Sequence, residues 1–236
     1  MESSEIVTRT AEYVRSQMAD DATGHDWWHV WRVWQTAKQL AEREAAELFI
    51  VELAALLHDV ADWKLHDGDL SAGPKAAREW LQQLDVDETV IAHVCEIVGG
   101  ISFKGAGVET PMATIEGRSV QDADRLDSIG AVGIARCFAF GGAKNRLIYD
   151  PEHPPELHDS FEAYRTKSGP SLNHFYEKLL LLKDRMQTAT GRELAAERHR
   201  FLEAYLAQFF AEWRVDAPSV CAAFQPGDSS FEVGNA

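Results

Sequence analysis

The chain is short of cysteine, of positive charge and of long apolar runs. Its 236 residues include three cysteines, Cys95, Cys137 and Cys221. The number is odd and no two share a CxxC spacing, so neither a disulfide framework nor a cysteine-rich zinc module is supported. Free thiols in a reducing compartment are expected. Lysine and arginine total 23 against 38 aspartates and glutamates, for a net charge of −15 and a pI near 5.0. So acidic a surface repels a nucleic-acid backbone and argues against a polynucleotide partner. A small phosphorylated substrate stays open, because one bound cation reverses the local field. No apolar run approaches the ~18 residues that span a membrane. The opening residues, MESSEIVTRTAEYV, lack the basic start and apolar core of a signal peptide. A cytoplasmic protein without a membrane partner is expected. Sustained alternation and internal repeats are also missing, which argues against sandwich, barrel and solenoid folds.

Helical periodicity is what the chain does have. The 45% apolar content is ordinary for one soluble core at this length. Apolar residues recur at helical spacing over 5–19, 27–46, 48–61, 74–84, 87–98, 113–127, 129–140, 172–188 and 191–213. Pro74 suits a first helical turn and Asp87 an N-cap. Glycine- and proline-rich stretches at 66–73, 101–112 and 141–169 read as loops. The expectation is an all-α protein with one domain over 1–215. A tail at 216–236, with Pro218, Pro226, Gly227 and Gly234, is expected to be partly disordered. The stretch 191–213 is long and amphipathic, and it suits either the chain's own core or a homodimer partner.

Three stretches put ligand-type side chains at helix positions. The apolar run Leu53–Leu57 ends abruptly in His58-Asp59, an imidazole and a carboxylate whose burial is costly unless something pairs them. Asp62 falls on about the same face if the helix continues, where it would handle a proton without being a ligand. Upstream stand His25, Asp26 and His29 among Trp27, Trp28 and Trp31. Downstream Asp122, Asp124 and Asp127 crowd six residues. By themselves the tryptophan-flanked histidines read as core or stacking residues, and the aspartates as a solvated face. Together they supply two histidines and two aspartates in the order H, HD, D. Such nitrogen and oxygen donors suit zinc, manganese, iron or nickel better than calcium. Four of them leave a six-coordinate ion two positions for water and a substrate oxygen.

The segments GHDWWHVWRV, LLHDVADWK, ISFKG, EGRSVQDADRLDSIGAVGIAR and HFYEKLLLLKDRM resemble the HD-domain superfamily of metal-dependent phosphohydrolases. More narrowly, they resemble a bacterial branch that includes nucleoside triphosphate pyrophosphohydrolases. The likeness runs from about His25 to Trp213. It implies an all-α HD fold with extra C-terminal helices and one divalent metal ion. Manganese is favoured, with magnesium, cobalt, nickel, iron or zinc as alternatives. His29, His58, Asp59 and Asp124 match the metal ligands, and Asp62 matches an acidic position that acts in proton transfer. Ser128 stands where the branch carries alanine.

The implied activity is hydrolysis at phosphorus by a metal-activated water, cleaving a (deoxy)nucleoside triphosphate to monophosphate and pyrophosphate. A nucleoside monophosphate phosphatase would use the same ligands, and a nucleotide- or metal-sensing module is the non-enzyme alternative. Arg32, one turn from His29, is a catalytic candidate for neutralising phosphoryl charge, with a structural ion pair as its alternative. Lys64, Lys104 and Asp127 are candidates for holding substrate or ordering the metal shell. His66 and His93 carry no pattern that requires a second metal. The tryptophans 27, 28, 31, 34, 63 and 80 are expected mostly in the core.

Overall fold

Helix α3 (Leu48–Leu57) is apolar almost throughout because its second half is covered on all sides. Val51 and Leu53 to Leu57 are fully buried beneath α1 (Ser3–Gln17), α2 (Trp27–Glu44), α5 (Glu88–Gly100) and α6 (Ile115–Asp127). The computed structural model describes residues 1–18, 24, 26–61, 69, 71–166 and 169–213. Among these there are ten α-helices and no strand, so the protein is all-α. The remaining helices are α4 (Ala72–Gln83), α7 (Gly130–Ala143), α8 (Phe161–Thr166), α9 (Asn173–Glu177) and α10 (Ala189–Trp213).

Local chemistry sets most boundaries. Asp26, Glu47, Asp87 and Thr114 cap α2, α3, α5 and α6 through their side-chain oxygens. The helix expected over 87–98 runs on through Gly99 and Gly100, which form its last turn. Helix α3 stops earlier than its pattern suggests, with His58 at the C-cap and residues 58–61 in turns. The single helix expected over 172–188 is broken at Lys178 (φ −145°, ψ −59°) into α9 and a 3-10 segment, Leu179–Arg185. The expected tail at 216–236 lies outside the described residues.

Two apolar clusters organise the packing. Val14, Val30, Val33, Leu53, Leu56, Leu57, Leu81, Ile91 and Val120 belong to one. Leu126, Ile129, Leu172, Phe175, Leu182, Leu202 and Leu206 belong to the other. Helices α2 and α6 contribute to both, Leu40 and Leu126 facing one cluster, Val33 and Val120 the other. Polar residues on these two helices are therefore held between two packed bodies. Trp28 and Trp31 depart from the expected core placement, at 55% and 41% exposed, because they lie on the face of α2 away from both clusters. Among the described residues, no single helix is long and apolar enough to cross a membrane.

Candidate metal centre

Three helices meet at one point and each brings a ligand-type group. Helix α2 brings His29, the C-cap of α3 brings His58 and Asp59, and the last turn of α6 brings Asp124. His29 Nε2 lies 3.2 Å from His58 Nε2, 3.3 Å from Asp59 Oδ2 and 3.6 Å from Asp124 Oδ1. His58 Nε2 is 3.5 Å from Asp59 Oδ2 and 3.9 Å from Asp124 Oδ1. Donors around one first-row ion at bonds of about 2.1 Å stand roughly 3.0–3.4 Å apart. The His29, His58 and Asp59 atoms therefore need only a small contraction, and Asp124 stands slightly further from both imidazoles. His29, His58 and Asp59 form a group whose ligand atoms all lie within 4.8 Å and could hold a metal ion.

The outer nitrogens explain why the inner ones converge. His58 Nδ1 lies 2.8 Å from the Ala55 carbonyl oxygen and His29 Nδ1 lies 2.7 Å from Asp127 Oδ2. A carbonyl or carboxylate oxygen only accepts, so each Nδ1 donates and each Nε2 is left with its lone pair. The two rings meet edge to face. Two buried lone pairs aimed at two carboxylate oxygens suit a cation between them.

Electrostatics agree with that arrangement. Burial and the Arg136 charge push His29 down, but hydrogen bonds to Asp127 and Asp59 outweigh them and raise it. A proton thus competes with a metal for this site. Below the raised value His29 carries a proton that a metal must expel, so affinity falls as pH drops, by about tenfold per unit. Calorimetric Mn²⁺ titration at pH 6, in buffers of different ionisation enthalpy, is expected to reveal close to one proton released. Equal heats in all buffers would contradict this. Asp127 behaves oppositely. Burial pushes its carboxyl up, yet the His29 and Arg32 hydrogen bonds and the Arg136 charge hold it well below the usual carboxylate range.

The other sequence-derived candidates divide clearly. Arg32 donates Nε to Asp127 Oδ1 at 2.7 Å and Nη2 to Asp127 Oδ2 at 3.0 Å. Its fork and the Asp127 carboxylate are engaged with each other. Lys104 is half-buried in the loop 101–112, next to Phe103, whose ring lies under Lys178 Nζ and the Arg185 guanidinium. Asp62 and Lys64, with His25, Trp63 and His66, lie outside the described residues. His93 Nε2 is 2.8 Å from Thr114 Oγ1, at the start of α6. Arg136 is a residue that the sequence reading passed over. It stands inside the GIAR string, but nothing in spacing ties it to Asp127 nine residues earlier, which it reaches at 2.9 Å.

The comparisons with known proteins come from sequence and from structure. Residues 27–129 match the HD domain family, a span that contains the four converging side chains. The chain is 42% identical to YpgQ of Bacillus subtilis (strain 168) over 212 residues, covering 89% of this chain and 93% of that protein. A crystal structure from Lactobacillus plantarum superposes with a TM-score of 0.80 at 37% identity, covering 90% and 98% of the two chains. An HD-superfamily hydrolase from Bacillus thuringiensis gives 0.69 at 45% identity, covering 90% and 98%. The crystal structure of YpgQ in complex with ADP gives 0.68 at 37% identity over the superposed residues, covering 87% and 97%.

Proposed function

The chain belongs to the HD-domain family, and from that membership we propose that it is a metal-dependent phosphohydrolase of nucleotides. The reaction proposed is hydrolysis of a (deoxy)nucleoside triphosphate to the monophosphate and pyrophosphate. The observation that carries this reading is the convergence of two imidazole nitrogens 3.2 Å apart with one carboxylate oxygen each of Asp59 and Asp124 lying 3.3–3.9 Å from those nitrogens. A nucleotide as substrate is supported by the ADP seen in the YpgQ structure. It agrees with the acidic surface, which disfavours polynucleotides.

His29, His58, Asp59 and Asp124 are the proposed ligands. When bound, a divalent ion there polarises a phosphoryl oxygen and acidifies water, which is the activation this reaction needs. Asp62, three residues beyond Asp59, is the proposed acceptor of the proton lost by the attacking water. The oxygen of that water bonds to the α-phosphorus, the bond to the bridging oxygen breaks, and pyrophosphate leaves with the bonding pair. Lys64 and Lys104 are proposed to neutralise charge on the phosphate chain.

Product analysis tests the reading. Protein stripped of metal and reloaded with Mn²⁺ is incubated with nucleoside and deoxynucleoside tri- and monophosphates, and the products are resolved by anion exchange. Monophosphate plus pyrophosphate is expected, and both should be absent with the His58→Ala, Asp59→Ala double variant. Nucleoside plus inorganic phosphate would replace this reading with a monophosphatase. No turnover with any nucleotide or metal would replace it with a sensing module.

A further inference from the structure

Two strings at the centre end in an arginine, GHDWWHVWR in Arg32 and DSIGAVGIAR in Arg136. Both guanidinium groups turn to the same carboxylate. Asp127 Oδ2 receives His29 Nδ1 at 2.7 Å, Arg136 Nη1 at 2.9 Å and Arg32 Nη2 at 3.0 Å, while Oδ1 receives Arg32 Nε at 2.7 Å. Arg136 reaches further. Its Nε donates to the Gly24 carbonyl at 2.8 Å, and Nη1 also approaches the Asp127 carbonyl at 3.3 Å. Gly24 has φ +86°, and a Cβ there would stand 3.0 Å from Arg136 Cγ, so glycine is needed both for conformation and for space. Two residues later Asp26 caps α2 by accepting from the backbone N–H of His29 at 2.9 Å.

We propose that Asp127, clamped by Arg32 and Arg136, is the positioning residue of the centre, fixing the tautomer and ring direction of His29. The proposal rests on the metal-centre reading above but needs no substrate identity. Every neighbour of the Asp127 carboxylate named here is a donor, so His29 has only one way to satisfy it: Nδ1 carries the proton and Nε2 faces Asp59 and Asp124. One buried carboxylate beside an imidazole would be short of compensating charge, and the bidentate Arg32 fork supplies charge and direction together. Arg136 then ties Gly24, two residues ahead of the α2 cap, the end of α6 and the body of α7 to this one point. The backbone cap from Asp26 and the ring contact from Asp127 hold His29 at both ends.

A substrate contact is the competing role, because Arg32 and Asp127 also form part of the wall of a groove with Trp31, Gln35 and Arg198. The two roles separate by measurement. Metal-free wild type, Asp127→Asn and Arg32→Gln are titrated with Mn²⁺ by calorimetry, and with Co²⁺ while the d–d absorption is recorded. Wild type and variants are also assayed for kcat and KM at saturating Mn²⁺. Asp127→Asn is expected to bind Mn²⁺ about 10- to 100-fold more weakly and to shift the Co²⁺ spectrum. Arg32→Gln, at a side chain 30% exposed and with Arg136 still on Asp127, is expected to weaken binding about three- to tenfold with KM unchanged. Wild-type affinity and spectrum in both variants, or in Arg32→Gln if Asp127→Asn does not fold, would overturn the proposal. So would raised KM with unaltered metal affinity, which would make these residues substrate contacts. A wild type that binds neither ion would instead overturn the metal centre itself, and this proposal with it.

Discussion

Replacing Asp124 by asparagine is expected to abolish turnover while leaving the metal-free fold as stable as before or more so. The carboxylates of Asp59, Asp124 and Asp127 surround two imidazoles at the junction of α2, α3 and α6. Asp127 has two arginines to balance it. Asp59 Oδ2 and Asp124 Oδ1 both approach His29 Nε2, at 3.3 and 3.6 Å. Gathering two carboxylates on one imidazole is expected to cost the metal-free protein energy that a bound cation returns. At pH 8 the Asp124→Asn protein should therefore melt at or above the metal-free wild-type temperature. Saturating Mn²⁺ at a hundred times its dissociation constant is worth about 2.7 kcal/mol to the wild type, roughly 5–10 °C at this chain length. Most of that rise should vanish in the variant. Hydrolysis should fall by about 10²–10³-fold or more, the scale seen when one preorganised electrostatic element is lost. Calorimetric melting with and without Mn²⁺, paired with the product assay, checks both halves. Retained turnover would remove Asp124 from the centre. Lost turnover with a collapsed metal-free fold would make it a structural residue.

The opposite outcome, a large loss of stability, is expected from Asp122→Ala, only two residues away. Asp122 is fully buried and lies on another face of α6 from Asp124. Its carboxylate accepts the backbone N–H groups of Gln187 and Thr188 at 3.0 and 2.8 Å and the Thr188 hydroxyl at 2.7 Å. These groups lead into α10, so Asp122 does from a distance what a local N-cap does. Burial, the largest influence, pushes its carboxyl up, and the hydrogen bonds offset that only in part. Gly191, in the first turn of α10, would drive a Cβ into Asp122 Oδ2, so the close approach also demands glycine there. Alanine at 122 strands two buried donors of Thr188 and the half-buried N–H of Gln187. Each costs about 1–3 kcal/mol, offset partly by no longer burying a charge, for a net loss of roughly 3 kcal/mol. The melting temperature should drop by roughly 6–12 °C. The Mn²⁺ affinity of the folded fraction should stay within a few-fold of wild type, because His29, His58, Asp59 and Asp124 keep their positions. A melting temperature within 2 °C of wild type by about the same calorimetry would contradict the capping role.

Reading the chain without coordinates goes far where chemistry is local. The helical repeat of apolar residues, the Asp87 cap and the polar breaks depend on neighbours three or four positions apart, and they are recoverable from the string of residues. The all-α class followed from them. The HD doublet stands out because polar groups at the end of a run like Leu53–Leu57 contradict their surroundings. Errors came where local preference was overruled. Leu172 onward has good helical spacing, yet the chain turns at Lys178 so that Leu179 and Leu182 reach the cluster around Phe175. Trp28 and Trp31 look like core by residue type and are exposed by their position on α2.

Residue type and order were enough to say that this chain is helical, acidic and built around two histidines and a set of aspartates. They could not say which aspartate does what. Asp122, Asp124 and Asp127 occupy one helix within six residues and share one chemistry. Packing gives Asp122 to the start of α10, turns Asp124 toward the imidazoles, and hands Asp127 to Arg32 and Arg136. Each of these partners lies from nine to ninety-five residues away along the chain. Helical periodicity is written between near neighbours, whereas a charge is assigned its role by whatever the fold brings beside it.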